Sequence, residues 1–122
     1  METLRRVGIV EDHEYLREVL EQMICLCGYE TESFNSAEEF VLAARHFDCL
    51  VVDLGLPGMT GLQLEADLRR QGVRTPFILT TGYDLATIAA FGGTSAIAVL
   101  RKPFEMGELQ AAFQRAFAEA PL

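Results

Sequence analysis

Apolar residues along the chain follow two rhythms. Val7-Gly8-Ile9-Val10, Cys49-Leu50-Val51-Val52, Phe77-Ile78-Leu79 and Ile97-Ala98-Val99-Leu100 are short unbroken runs. Such runs are expected of strands covered on both faces of a parallel sheet, where alternation with solvent-facing residues is lost. All four are read as central strands, while the mixed segment Glu30 to Phe34 suits a strand at the edge. Between the runs the spacing becomes helical. Leu16, Val19 or Leu20, Met23 and Cys27 fall at i, i+3/4, i+7 and i+11, leaving Glu14, Arg17, Glu18 and Glu21 outside the stripe.

Ser36-Ala37-Glu38-Glu39 predicts a second helix opened by a capping box, with Ser at the N-cap and Glu three positions on, running to about His46. A third helix is predicted from roughly Leu62 to Gln71, closed by Gly72. A last one lies near Glu105 to Ala118 with Met106, Leu109, Phe113 and Phe117 on one stripe. Asp84 can cap a fourth, but Gly92-Gly93 and Thr94-Ser95 are poor helix formers, so that helix should be short or mobile. Strand and helix alternate five times, which implies a single doubly wound α/β domain over residues 1–122.

Composition narrows the function. A chain of 122 residues, 50% hydrophobic, is long enough for one two-sided core without disulfides or a structural metal. Cys25, Cys27 and Cys49 are odd in number and form no C-x-x-C pair, so they read as small packed residues rather than a disulfide framework or zinc site. A net charge of −8 argues against direct binding of a nucleic-acid backbone. No stretch resembles a signal peptide or a membrane span, which points to the cytoplasm. The basic residues are nine Arg and a single Lys, Lys102.

In open α/β sheets, ligands bind outside the carboxyl ends of the strands. Glu11-Asp12 end the first strand and Asp53 the third, Thr81 follows the fourth, and Lys102-Pro103 follow the fifth; only the second strand delivers nothing polar there. Three carboxylates converging at a half-buried edge repel one another unless something positive neutralises them. All-oxygen ligation suits Mg²⁺ or Mn²⁺ rather than zinc. A carboxylate beside such a cation is a candidate nucleophile toward phosphorus, with Lys102 and the Thr81 hydroxyl holding the other oxygens. Asp53 is the best acceptor, followed by the Gly-rich loop Gly55-Leu56-Pro57-Gly58-Met59-Thr60-Gly61. Taken singly, each residue has a plainer reading: acidic pairs cap helices, Thr81-Gly82 would pass as a turn, and His13 reads as a solvated residue of the first helical turn. The combination at four strand ends is what carries the site.

With Glu11-Asp12, Asp53 in Val-Val-Asp-Leu-Gly-Leu-Pro-Gly-Met-Thr-Gly, Thr81-Gly82 and Lys102-Pro103-Phe104, the chain resembles the receiver domains of two-component response regulators over essentially its whole length. The resemblance implies a flavodoxin-like five-stranded sheet of order 2-1-3-4-5 with five flanking helices. It implies that Asp53 takes a phosphoryl group from a sensor histidine kinase or phosphotransfer protein and controls an output domain, a partner or a homodimer. Mg²⁺ would be held by Asp12, Asp53 and the Gly55 carbonyl, and by Glu11 through water, with Thr81 and Lys102 on the phosphoryl oxygens. Lys102-Pro103 would be cis. Such a domain catalyses only its own phosphorylation and dephosphorylation. Two features depart from the pattern: Val99 stands where the family has a switching aromatic, and Ser95-Ala96 where it has Gly-Ala. Signalling is therefore expected through order and disorder of the segment from Asp84 to Ser95.

Two rivals belong to other classes. A pseudo-receiver would share the fold but act as an interaction module without phosphorylation. An aspartyl-phosphate phosphatase of the haloacid-dehalogenase type resembles its relatives in a second Asp two residues after the nucleophile, and here that position is Gly55.

Overall fold

A computed structural model describes residues 4–90 and 94–119. Five parallel strands, β1 (Arg6–Val10), β2 (Glu30–Phe34), β3 (Cys49–Asp53), β4 (Phe77–Thr81) and β5 (Ala98–Arg101), form one sheet in the order β2-β1-β3-β4-β5. The helices are α1 (Glu14–Leu26), α2 (Ala37–Ala43), α3 (Gly61–Arg70), α4 (Leu85–Ala90) and α5 (Met106–Glu119). Register places Asp53 beside Thr80 and Thr81 beside Arg101, so β3, β4 and β5 end at the same edge.

The unbroken apolar runs divide their residues between two cores. Val7, Ile9, Val51 and Ile78 pack with Leu20, Ile24, Leu109 and Phe113 of α1 and α5. Val10, Leu50, Val52 and Leu79 face the other way, toward Phe40, Leu64 and Ile88 of α2, α3 and α4. Each fully buried side chain of this size contributes about 1.5–3 kcal/mol of transfer free energy, so the central strands are held from both faces. Gly8 is required in β1 because a Cβ there would lie 2.7 Å from Leu50 and 2.9 Å from the Phe47 ring.

Several expectations are corrected. The run from Ile97 to Leu100 reads as central from its pattern alone, yet β5 is the edge strand that the order 2-1-3-4-5 requires, with Ala98 and Val99 only half-buried; its apolar character comes from packing on α5 and the second core. The α1 stripe is centred on Leu20 and Ile24, while Leu16 is 37% exposed. The second helix ends at Ala43, short of His46, because Ala44 takes a left-handed conformation at φ 50° that breaks the helical path. Cys25 is exposed rather than packed, Cys49 is buried, and all three thiols are free. His13 is the N-cap of α1, its Nδ1 accepting the Leu16 amide hydrogen at 3.4 Å.

Other features follow the sequence closely. Ser36 Oγ accepts the Glu39 amide at 3.0 Å, the N-cap half of the box expected there, while the full reciprocal capping box stands at α3 between Thr60 and Gln63, where none was expected. The fourth helix is short, and Asp84 Oδ1 caps it by accepting the Thr87 amide at 2.8 Å. Gly92-Gly93 and residues 120–122 lie outside the described residues. Among the described residues, no helix is long and apolar enough to cross a membrane.

Candidate functional site

The edge where the strands end gathers the predicted residues. β1 stops at Val10, and the next two positions are Glu11, 1% exposed, and Asp12, exposed. Asp53, the last residue of β3, is 8% exposed. Oxygens of Glu11, Asp12 and Asp53 all lie within 4.8 Å of one another. Lys102, one residue beyond β5, places Nζ 2.9 Å from Glu11 Oε1 and 3.2 Å from Asp53 Oδ1. Its own amide donates to the Thr81 carbonyl at 2.7 Å, and the Lys102-Pro103 bond is cis. The ammonium is thus already docked between two carboxylates.

Electrostatics follow from this crowding. Burial, joined by the Asp53 charge, raises the Glu11 carboxyl above its ordinary value, although Lys102 and the His13 amide pull it down. For Lys102 burial works to lower the ammonium, but the hydrogen bond to Glu11 and the charges of Asp53 and Glu11 outweigh it, and the net shift is upward. One ammonium among three carboxylates leaves the ionised cluster two negative charges in excess (−3 + 1 = −2). Hard oxygen donors in this number and with this charge fit Mg²⁺ or Mn²⁺.

Thr81, 1% exposed at the end of β4, accepts the Tyr83 amide at 2.9 Å through Oγ1. Gly55 is exposed in the loop after β3, and a Cβ placed on it would be 3.9 Å from Asp53 Oδ2. The loop returns tightly: the Gly61 amide donates to the Leu54 carbonyl at 3.2 Å, and a Cβ at Gly61 would meet the Asp53 carbonyl at 2.6 Å. Beside the cluster, Leu16, Leu20, Met23, Pro103 and Phe104 line an open apolar groove of about 370 Å³ that reaches Glu11 and Lys102. Every residue predicted for the site therefore lies at one edge.

Two polar ties were not anticipated. Glu38 of α2 reaches the loop after β3, accepting the Met59 amide at 2.9 Å. Glu65 of α3, 5% exposed, accepts the Thr94 hydroxyl at 2.6 Å and the Ser95 hydroxyl at 3.2 Å. Their partners lie 21 to 30 residues away, so no local sequence pattern could reveal them.

A parallel sheet whose order reverses between β1 and β3 defines a doubly wound α/β protein, and the acidic cluster and lysine lie at its switch point, where such sheets bind their ligands. Residues 7–114 match the response regulator receiver domain, and the chain belongs to this family. It is 31% identical to the regulatory protein AtoC of Escherichia coli over 95% of this chain and 26% of that protein. Nodulation protein W of Bradyrhizobium diazoefficiens is 36% identical over 84% of this chain and 47% of its own length. Among solved structures, FixJ-N superposes with a TM-score of 0.85 at 29% identity, covering 100% of this chain and 99% of that one. The chain spans between a quarter and a half of the two curated relatives named.

Proposed function

We propose that this receiver domain, taken as one unit over residues 1–122, accepts a phosphoryl group on Asp53 and uses the resulting change to control an output domain or partner. The observation that carries the reading is the Lys102 ammonium held at 2.9 and 3.2 Å from Glu11 and Asp53 beside a third carboxylate. A purely structural strand edge has no need to bury two carboxylates around one lysine.

Asp12, Asp53 and the Gly55 carbonyl would hold Mg²⁺, with Glu11 behind them through water. When bound, the cation would offset the cluster's excess negative charge and draw an incoming phosphoryl oxygen toward Asp53. The chain's own residues perform the rest. An Asp53 carboxylate oxygen attacks phosphorus, one P–O bond forms, and the bond to the donor breaks with its electron pair leaving on the donor. Lys102 then exchanges part of its hold on the carboxylates for a phosphoryl oxygen. The Thr81 hydroxyl turns from the Tyr83 amide to another, a differential contact of the kind a population shift requires.

The donor in this reading is a sensor histidine kinase or phosphotransfer protein in the cytoplasm, and the domain acts on no other substrate. Val99, packed against the second core, lacks the ring that would swing behind Thr81, so the readout is assigned to the segment from Asp84 to Ser95. Residues 91–93 of that segment lie outside the described residues.

Mass spectrometry of the chain after incubation with acetyl phosphate and Mg²⁺ tests the reading. Wild type should gain one phosphoryl mass and Asp53→Ala none. An unmodified wild type would leave the pseudo-receiver reading in its place.

A further inference from the structure

β2 ends on Phe34 and delivers nothing polar to the carboxyl edge of the sheet, yet the helix that follows it does. Glu38, in the first turn of α2, accepts the Met59 amide hydrogen through Oε2 at 2.9 Å. The bond spans 21 residues and joins α2 to the loop that carries Gly55.

The surrounding backbone is built for this contact. Gly58 stands at φ +73°, and a Cβ there would lie 2.7 Å from Glu38 Oε2. Any other residue at 58 would strain the backbone and push the carboxylate away together. The Met59 amide in turn holds the Glu38 carboxyl below its ordinary range, the direction expected when a donor favours the charged form. At its far end the same loop is tied by the Thr60–Gln63 capping box and by the Gly61 amide on the Leu54 carbonyl. In its middle the restraints are the buried Leu56 side chain and the bond from Met59 to Glu38.

We propose that Glu38 is a positioning residue for the acceptor site: by holding Met59 it fixes the path of the loop and so presents the Gly55 carbonyl beside Asp53. What the loop serves rests on the phosphoacceptor reading above; the bond itself does not. Glu38 never touches the reacting atoms. A plainer role exists, since an acidic residue in the first turn of a helix favours its dipole. That role needs the negative charge, whereas the positioning role needs only an acceptor oxygen. Glutamine keeps the acceptor and removes the charge, and so separates the two.

The test uses the 122-residue chain as wild type, Glu38→Ala and Glu38→Gln. Exchange of the Met59 amide hydrogen is followed by NMR, and the Mg²⁺ dissociation constant is measured by calorimetry. Glu38→Ala should speed Met59 exchange about fivefold or more, the loss expected for one hydrogen bond, and weaken Mg²⁺ binding several-fold. Glu38→Gln should restore both. Wild-type exchange and affinity in Glu38→Ala would overturn the proposal, as would a Glu38→Gln that behaves like Glu38→Ala. A wild type that binds Mg²⁺ but gains no phosphoryl mass from acetyl phosphate would sink the phosphoacceptor reading alone, with Glu38 still judged by exchange and affinity.

Discussion

Among the described residues, carboxylates are buried in two places and satisfied differently. At the carboxyl edge of the sheet, Glu11 and Asp53 share the Lys102 ammonium, with exposed Asp12 alongside. On α3, Glu65 is equally buried but is met by the hydroxyls of Thr94 and Ser95, and Arg69 binds Ser95 Oγ at 3.4 Å rather than the carboxylate. Neutral donors suffice where a lone carboxylate has only to tie α3 to the chain entering β5. Where three carboxylates meet, hydroxyls would leave the repulsion in place, and the fold spends its only lysine there. The first arrangement is charged and unfinished, able to take a cation or exchange partners. The second is complete within the chain.

Removing the cation from the first region should have the largest effect. Lys102→Met leaves Glu11 and Asp53 buried without a counter-charge, and breaking such a pair costs about 3–5 kcal/mol when fully buried. Lys102 is 26% exposed on its side chain, so about 2–4 kcal/mol is expected after allowing for solvent. Chemical denaturation in Mg²⁺-free buffer should show this loss, and saturating Mg²⁺ should recover much of it. A variant as stable as wild type without Mg²⁺ would mean that the two carboxylates need no neutralising.

The α3 region should respond far less. Glu65→Leu removes a buried charge that has no cation partner, and Thr94 and Ser95, half-buried and exposed, can turn their hydroxyls to water. The desolvation cost removed with the carboxylate and the two hydrogen bonds lost with it nearly cancel, so stability should change by less than about 1 kcal/mol. Acetyl phosphate should still modify Asp53. A loss as large as that of Lys102→Met would erase the distinction between the two regions.

The same contrast explains what was legible in the sequence. The carboxylate edge announces itself because each member sits at the end of an apolar run, and strand ends in a doubly wound sheet converge by topology alone. Glu11, Asp12, Asp53, Thr81 and Lys102 could therefore be placed at one edge before any geometry was known. Glu65 and Glu38 could not. Each lies inside or at the start of a helix, where an acidic residue ordinarily means a solvated face, and its partner is set by how separate loops come to rest. The edge position of β5 came only from the strand order that the resemblance implied, for a related reason: Ile97 to Leu100 is apolar because α5 covers one face and Val99 and Ala96 join the second core, a pattern that composition cannot tell from a central strand. The left-handed Ala44 left no signal either, since alanine ordinarily continues a helix.

The smallest effect, and the one that reads the charged region most directly, is on pH. The Glu11 carboxyl is raised above its ordinary 4.5 chiefly by burial, so the folded state holds that proton more tightly than the unfolded chain does. Its contribution to stability is fully present below about pH 4.5 and is lost as pH rises through the raised folded value. Glu11→Gln imitates the protonated form and keeps that contribution at every pH, while its amide oxygen can still accept from Lys102. In Mg²⁺-free buffer the variant should melt above wild type at neutral pH, and the difference should close as the solution is acidified through the Glu11 titration. Taking the difference cancels the opposite contributions of Glu38 and Asp84, whose carboxyls are lowered in both proteins. Saturating Mg²⁺ should shrink or reverse the gap at neutral pH, because a cation favours the ionised carboxylate that glutamine lacks. A gap that ignores both pH and Mg²⁺ would show that Glu11 carries no electrostatic penalty in the fold, and that the two buried carboxylate regions are alike after all.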